Sequence, residues 1–231
     1  SSNLGNDKNG GTDWAESNLA AADQATDTPV NNFATFNPLA AIEHGEMPTF
    51  SEGNCQGAST SGGHISGIST IAVNTGKWYA EFKISATSNT DEPLAGVIKD
   101  DVTSLSTTSP HDSALFYGAR GNGTKYTAST GATSWGADWA LNDIISLAVD
   151  LDNQKLYVAK GGSWSDGSGN YDESSPNAYI DLSDGDYFYF CLADASGGET
   201  GTWQANFGGC PAFAISSGNA DADGYGNFEY A

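Results

Sequence analysis

Apolar and polar residues alternate one by one in several separate stretches of this chain, and this period of two constrains the fold more than any other feature. The clearest case is GKWYAEFKIS, residues 76–85. Successive side chains of a β-strand point to opposite faces, so this stretch predicts a half-buried strand. The residues predicted to face inward are Trp78, Ala80, Phe82 and Ile84, and those predicted to face outward are Lys77, Tyr79, Glu81 and Lys83.

Similar strand signals recur along the chain, and turn residues separate them. Further strands are predicted in 93–99, 114–129, 143–151, 155–160, 186–194 and 202–208. The stretch DYFYFCLAD (186–194) is apolar on both faces and predicts a central strand, whereas Trp203 and Phe207 are assigned to the core. Helical spacing is confined to the Ala-rich stretch 15–25. Many short strands without βαβ alternation predict an all-β fold, an antiparallel β-sandwich.

The acidic segment DLDNQK, residues 150–155, allows three interpretations: a metal site, a catalytic carboxylate pair or a turn. It lies between two predicted strands of opposite direction, which a turn of about this length can join. Asp and Asn suit such a turn because their side chains cap turn backbone and tolerate left-handed conformations. We interpret the segment as a turn. Asn122-Gly123 predicts a second hairpin turn.

Four motifs occur in series: Gly76-Lys77-Trp78-Tyr79-Ala80-Glu81, Asn142-Asp143-Ile144-Ile145 leading to Asp150, Lys160-Gly161-Gly162, and Asn206-Phe207-Gly208. Together they resemble the SPRY-type domain, a concanavalin A-like jelly-roll sandwich. Asn142 stands where the family has Gly, and Gly161 stands where it has Asn. Both substitutes are turn-competent residues.

The resemblance covers roughly residues 28–230. Its flanking segments, DTPVNNFATFNPL (27–39) and GYGNFEY (224–230), are similar to SPRY-like modules in tail and fibre proteins of aquatic bacteriophages. The resemblance implies a non-enzymatic virion module, extracellular and used for attachment to a host surface, and a homotrimer. The domain is expected at 28–231. Residues 1–27 are predicted to form a linker or docking arm. The chain begins with Ser1 and not Met, so we expect a fragment or a processed product.

The charge of the chain argues against several partners. It has 8 Lys+Arg against 29 Asp+Glu, a formal net charge of -21. Nucleic-acid binding depends on cations that displace counterions, so phosphate backbones are repelled. Anionic membrane surfaces are disfavoured for the same reason. No apolar run is long enough to predict membrane insertion.

The sequence lacks the usual signs of catalysis. No Glu-x-Asp-x-x-Glu pattern of a sandwich glycosidase occurs, and no Gly-x-Ser-x-Gly accompanies His44, His64 or His111. We therefore predict no enzymatic activity and no cofactor. The Asp221/Asp223 loop has the oxygen ligands that Ca²⁺ prefers, but it lacks the EF-hand spacing and is interpreted as a solvated turn.

Aromatic and cationic residues in loop-like stretches are the predicted ligand-binding residues: Arg120, Tyr126, Trp135, Trp164 and Tyr171. Flat rings with a few polar groups are how proteins grip sugars and peptides. Two alternatives remain for Trp164 and Tyr171, which could equally pack over the open edge of the sandwich. Arg120, the sole arginine, could clamp a carboxylate or an acidic sugar, or pair with a neighbouring Asp. Trp139 is assigned to the core.

The predicted function is a binding module for a host-surface glycan or protein. The alternative is a structural module that docks on other virion subunits; a glycan-cleaving enzyme is a third and weaker class. The three cysteines, Cys55, Cys191 and Cys210, allow a Cys55–Cys210 or a Cys191–Cys210 bridge, or three buried thiols.

Overall fold

Two antiparallel sheets form a β-sandwich, as the sequence predicts. The structure is a computed structural model that describes residues 32–40, 48–59, 66–100, 110–128, 130–196, 199–209, 211–216, 218–221 and 224–231. The predicted arm at 1–27, the Ala-rich stretch 15–25, His44 and His64 lie outside these ranges. Within them there is no α-helix, and so none that could span a bilayer.

The larger sheet has nine strands. They are β1 (Thr49–Ser51), β2 (Gln56–Ser59), β4 (Lys77–Thr87), β9 (Ile144–Asp150), β10 (Lys155–Lys160), β11 (Ser163–Ser165), β12 (Tyr171–Glu173), β13 (Ile180–Asp181) and β15 (Gly201–Asn206). Their spatial order is β1-β2-β15-β4-β9-β10-β11-β12, and β13 pairs with β10. Consecutive strands β9 and β10 form a hairpin, whereas β15 returns from the end of the chain to lie between β2 and β4.

The smaller sheet has six strands. They are β3 (Ser66–Val73), β5 (Pro93–Lys99), β6 (Phe116–Arg120), β7 (Thr124–Thr127), β8 (Thr130–Ser134) and β14 (Phe188–Asp194). Their order is β3-β14-β5-β6-β7-β8. The prediction of a central strand at 186–194 is confirmed, because β14 pairs with β3 on one side and β5 on the other.

The core lies between the inner faces of the two sheets. Ala80, Phe82 and Ile84 of β4 are buried there, as the alternation predicts. Trp203 and Phe207 are also buried, which confirms their assignment to the core. The assignment of Trp78 to the core is wrong: its side chain is 45% exposed. Trp78 lies at the beginning of β4, at the open end of the sandwich, where its indole Nε1 donates a hydrogen bond to the Thr75 carbonyl oxygen at 2.7 Å.

A second apolar cluster covers the outer face of the smaller sheet. Leu94, Ile98, Phe116 and Tyr126 belong to it, and the short 3-10 turn Pro110–Asp112 adds the His111 ring, which packs edge-on against Tyr126 at 5.0 Å. This cluster explains why β5 and β14 are apolar on both faces.

The acidic segment that begins at Asp150 is a turn, as predicted. Asp150 pairs with Lys155 in the β9–β10 register, and the four residues between them close the hairpin. The backbone N–H and the side-chain Nδ2 of Asn153 donate to the Asp150 carboxylate at 3.1 and 2.9 Å. Burial acts to raise the pKa of Asp150, but these hydrogen bonds outweigh it and hold that pKa below its ordinary value. Gln154 adopts a positive φ of 56°.

The second predicted turn also forms. β6 and β7 are joined at Asn122-Gly123, where Gly123 has a φ of +74°. The Asn122 side-chain oxygen accepts hydrogen bonds from the hydroxyl of Thr124 at 2.7 Å and from its backbone N–H at 3.3 Å.

Two of the three cysteines are described, and both are buried. Cys191 is a free thiol, so the alternative Cys191–Cys210 bridge is wrong. Complete burial raises the pKa of the Cys191 thiol to about 12, which makes it unreactive near neutral pH. Cys210 lies outside the described residues, and a Cys55–Cys210 bridge stays a prediction.

A glycine pair between β5 and β6 gives a test of the packing. Gly96 and Gly118 lie opposite each other in register, and a Cβ added to Gly96 would lie 2.1 Å from the Tyr117 carbonyl oxygen and 2.9 Å from the Phe116 ring. We expect Gly96→Ala to lower the free energy of unfolding by about 2–3 kcal/mol, because the backbone of β6 must shift. Denaturant unfolding measures this.

Gly201→Ala on β15 is the matched control, since the nearest atom to its added Cβ is 3.2 Å away. Equal losses of stability in the two variants would contradict the proposed clash at Gly96.

A candidate aromatic cleft on the larger sheet

The outer face of the larger sheet, opposite the core, carries a row of side chains that crosses the strands. Tyr79 of β4, Ala148 of β9 and Tyr157 of β10 lie side by side in register. Trp164 of β11 pairs with Ala159, on the same face as Tyr157, and its ring meets the Tyr157 ring edge-on at 6.5 Å. The row therefore has a small residue, Ala148, between bulky aromatic neighbours.

The C-terminal segment, residues 224–231, crosses this face beside the row. Its Phe228 packs edge-on against Tyr79, with ring centroids 5.0 Å apart. Its Tyr230 ring lies over the turn between β10 and β11, where a Cβ on Gly162 would come within 2.7 Å of it. The segment covers one side of the outer face and leaves the row Tyr79–Ala148–Tyr157 open beside it.

The carboxylate of Glu81 holds the C-terminal segment in place. Glu81 is fully buried, and its two oxygens accept hydrogen bonds from four donors. These are the backbone N–H groups of Glu229 (2.9 Å) and Tyr230 (2.7 Å), Asn206 Nδ2 (3.1 Å) and the Tyr79 hydroxyl (3.0 Å). Alternation predicts that Glu81 faces outward, and its side chain does point away from the core. It is nevertheless buried, because the C-terminal segment covers it. Burial first, and then the charge of Glu81, raise the pKa of Tyr79 above its ordinary value.

The aromatic cleft is defined here as the space lined by Tyr79, Ala148, Tyr157, Trp164, Tyr225, Phe228 and Tyr230. It is the outer-face part of a larger cavity, about 1090 Å³ in volume, which continues past Gly76 and Trp78 to Phe33, to Asp221 and to the core-facing side chains of Val73, Val149, Phe190 and Phe207. Tyr225 is 53% exposed and Tyr230 is 40% exposed, whereas Tyr157 and Trp164 are half-buried. Such a combination of exposed ring surface and a small floor residue suits a ligand with flat apolar faces.

A row of charged side chains with alternating signs runs along the other side of the cleft, and its first two members, Lys77 and Asp150, line the cleft. Lys77, Asp150, Lys155 and Asp181 lie in register across β4, β9, β10 and β13. Lys77 Nζ is 3.6 Å from the Asp150 carboxylate, and Lys155 Nζ lies over the Tyr179 ring, 3.9 Å from its centroid. These charges largely compensate one another.

Of the five predicted binding residues, only Trp164 lines this cleft. Trp164 and Tyr171 lie on paired strands, β11 and β12, so the interpretation of their segment as strandless loop is wrong. The short strands were missed because Gly and Ser interrupt the alternation. Tyr157 was also missed as a site residue, although Leu156 and Val158 point inward and so place it outward. Tyr225 and Tyr230 gave no periodic signal.

Tyr171 and Trp135 pack over the edge of the sandwich. The Trp139 indole Nε1 donates to the Tyr171 hydroxyl at 3.2 Å, and burial raises the pKa of Tyr171 to about 12. Trp135 is only 2% exposed, and its carbonyl oxygen accepts a hydrogen bond from Ser165 at 2.8 Å. Trp139 is buried in the core, as predicted. Ligand binding by Tyr171 or Trp135 stays a prediction, but these contacts give both a packing role.

Arg120 of β6 and Tyr126 of β7 lie together on the smaller sheet. Arg120 Nη2 is 2.7 Å from the Glu92 carboxylate, and Arg120 Nε donates to the Asp91 carbonyl oxygen at 2.9 Å. Its Nη1 donates to the Tyr126 hydroxyl at 3.4 Å. The sole arginine therefore makes an internal ion pair, as one of its two alternatives predicted, but the partner is Glu92 and not an Asp. Tyr126 is 6% exposed, in the second apolar cluster. An acidic ligand on these two residues stays a prediction.

Asp194 is the other carboxylate close to this ion pair. It is almost fully buried at the end of β14, and its carboxylate accepts a hydrogen bond from the Ser196 backbone N–H at 3.0 Å. Burial first, and then the charges of Glu92 and Glu199, raise the pKa of Asp194 to about 6, although Arg120 acts in the opposite direction. The positive charge of Arg120 thus acts on two buried carboxylates: it pairs with Glu92, and it acts to lower the pKa of Asp194.

Asp221 forms a local turn, in which its Oδ1 accepts a hydrogen bond from the Tyr225 backbone N–H at 2.8 Å. Asp223 lies outside the described residues. Among the residues that are described, no group of three or more His, Cys, Asp or Glu side chains is arranged to hold a metal ion. Calcium binding at this loop stays a prediction.

Comparison with known proteins identifies the fold of this chain and leaves its family and function to be argued from the site. No protein-family model matches the chain, and no curated protein matches it. Among solved structures it is similar to the SPRY domain of human HERC1, with a TM-score of 0.59 and 16% identity over 78% of this chain and 99% of that one. The class is thus a SPRY-like, concanavalin A-like β-sandwich, as the sequence motifs implied. The similarity to bacteriophage modules stays a prediction.

The role of Glu81 can be tested by substitution. We expect Glu81→Ala to lower the free energy of unfolding by about 3 kcal/mol, because two backbone N–H groups and Asn206 lose a charged acceptor. Amide hydrogen exchange at Glu229 and Tyr230 should become markedly faster. Lys83→Ala, two residues along the same face of β4, is the control. Unchanged protection of the two amides in Glu81→Ala would show that the carboxylate does not hold the segment.

The raised pKa of Asp194 predicts a pH dependence of stability. Between its ordinary value of 3.8 and about 6, the folded state binds a proton that the unfolded state has released, so this group's contribution to stability is lost as the pH rises through 6. We expect Asp194→Asn to stabilise the protein at pH 7.5 by about 1–3 kcal/mol and to remove this part of the pH dependence.

Denaturant unfolding from pH 4 to pH 8 measures the effect, with the exposed Asp184→Asn as control. A variant that is less stable than the parent at pH 7.5 would contradict the raised pKa.

Proposed function

We propose that this chain is a non-catalytic recognition module that binds a carbohydrate of a cell surface in the aromatic cleft. The observation that carries the proposal is the strand-crossing row Tyr79–Ala148–Tyr157, with the Trp164 ring against Tyr157, open beside the C-terminal segment. Pyranose rings have flat C–H faces, and exposed aromatic side chains contribute large, rigid contact areas to such faces at little entropic cost.

Two further observations support a non-catalytic role. Hydrolysis of a glycosidic bond requires a pair of carboxylates on either side of the bond. Glu81, beneath the C-terminal segment, is enclosed by four donors. Asp150 and Asp221 line the cavity, but Asp150 caps its own turn and Asp221 accepts the Tyr225 backbone N–H. The three carboxylates are thus engaged in holding the fold and its turns.

The setting that we propose is a virion appendage, such as the tail fibre of a bacteriophage, where the module attaches the particle to its host. The motif series and the flanking segments support this setting, and so does the strongly acidic composition, which is unsuited to nucleic acid. In a homotrimeric fibre, weak single-site contacts would add up through high effective concentration.

Binding to a panel of bacterial-surface glycans and to whole cells tests the proposal. We expect the Trp164→Ala/Tyr157→Ala double variant to bind at least about tenfold more weakly than the parent, because the cleft loses two of its aromatic rings. Tyr187→Ala is the matched control, since this tyrosine is 48% exposed and does not line the cleft. Each measurement is made with calcium and with a chelator, and thermal unfolding verifies that all variants fold.

Three results would count against the proposal. If Tyr187→Ala lost binding to the same degree as the double variant, the cleft would not be the binding site. Capture of a protein of the cell surface, with no glycan bound, would favour a protein ligand. Absence of binding to any glycan or cell by a well-folded module would favour the assembly alternative, in which the cleft docks on another virion subunit.

A further inference from the structure

We infer that the ligand of the aromatic cleft is an uncharged, unbranched oligosaccharide chain that lies across the strands of the larger sheet. This inference rests on the proposed function and deepens it. It names the ligand's charge, shape and direction, which the proposal of a carbohydrate leaves open.

The direction follows from the order of three parallel rows on the outer face. The first row is the alternating charges that begin at Lys77 and Asp150, and the second is Tyr79–Ala148–Tyr157. Along the third, the C-terminal segment runs from Glu81 to Gly162. All three cross the strands, so the second row is a channel flanked on one long side by charged side chains and on the other by the C-terminal segment. A ligand that followed a strand would collide with the C-terminal segment.

The dimensions select a single, narrow chain. From residue 77 to residue 81 along β4 the distance is roughly 14 Å, and the bounding rows take up part of that width. The row itself ends at Tyr157 of β10, and Trp164 of β11, level with Ala159, extends the aromatic surface to three strand spacings from β4, about 14 Å, the length of a short oligosaccharide. Tyr79 and Tyr157 are two strand spacings apart, about 9.5 Å, close to the length of one disaccharide unit. A branch would meet either the C-terminal segment or the charged row.

The charges on the two sides select an uncharged ligand. Lys77 is engaged by Asp150 at 3.6 Å, and the Lys155 ammonium group lies over the Tyr179 ring at 3.9 Å. The sole arginine, Arg120, pairs with Glu92 on the other sheet. A carboxylate or sulfate in the cleft would therefore find no uncommitted cation among these groups, in a chain with a net charge of -21. A uronate or a sulfated glycan is repelled.

Isothermal titration with two matched ladders of oligosaccharides, from disaccharide to hexasaccharide, tests the inference. One ladder is of β-1,4-linked glucose or N-acetylglucosamine, and the other is of uronic acid. We expect affinity for the uncharged ladder to rise from disaccharide to trisaccharide and then to level off by the tetrasaccharide, once the aromatic surface of about 14 Å is filled. It should change less than about twofold between 50 and 500 mM NaCl, because no ion pair forms. The uronate ladder should bind at least about tenfold more weakly.

A second variant distinguishes binding of a chain along the whole channel from stacking of one sugar on a single ring. Ala148→Trp places a bulky ring on the floor of the row between Tyr79 and Tyr157. Its side chain points away from the core, so the variant should fold, and thermal unfolding confirms this. We expect it to lose most of the gain in affinity between disaccharide and tetrasaccharide, whereas Tyr187→Ala keeps that gain.

The results distinguish this inference from the proposed function. Tighter binding of uronates than of neutral sugars, with Trp164 and Tyr157 still required, would overturn the uncharged ligand and leave the carbohydrate-binding function intact. An affinity that does not rise beyond the disaccharide, or a length-dependent gain that survives in Ala148→Trp, would overturn the extended chain. Failure of every glycan, on the ladders and on the panel, would overturn both.

Discussion

The buried carboxylate of Glu81 is the interaction on which the shape of the outer face depends. A charge removed from water is tolerated only when donors replace its hydration, and here two backbone N–H groups, an amide and a phenol do so. Two of these donors come from the C-terminal segment, so the same contact that satisfies the charge fixes the segment across the sheet. Phe228 and Tyr230 are thereby set at defined positions over Tyr79 and Gly162, and the open row beside them becomes a cleft with two sides.

The alternation of residues was sufficient to predict the sandwich. Ala80, Phe82 and Ile84 face the core, β14 is covered on both faces, and the acidic segment after Asp150 is a turn. Local pattern could not place Trp78, because the same alternation continues to the end of a strand, where the opposite sheet no longer covers it. Nor could it show that Glu81 on the outward face is buried, since the residues that bury it lie almost at the other end of the chain.

The candidate site was harder to predict for the same reason. Trp135 and Tyr171 occur in Gly- and Ser-rich stretches that suggest exposed loops, yet both pack over the sandwich edge beside Trp139 and Ser165. Arg120 attracts attention as the sole arginine, but its ion pair with Glu92 uses it inside the fold. Tyr157 was within reach of the sequence, because Leu156 and Val158 point inward. Its meaning appears only when the register places Ala148 next to it and Trp164 on the neighbouring strand.

The hydrogen bonds from the backbone of Glu229 and Tyr230 to Glu81 join residues separated by 148 and 149 positions in the sequence. Contacts of such long range form late, because the closure entropy of the intervening chain must be overcome first. During synthesis the sheets can begin to pair before residues 224–231 have left the ribosome, but the side of the cleft formed by Phe228 and Tyr230 cannot exist until those residues have emerged. A chain that stopped before Phe228 would keep the core of the sandwich but would lack one side of the cleft.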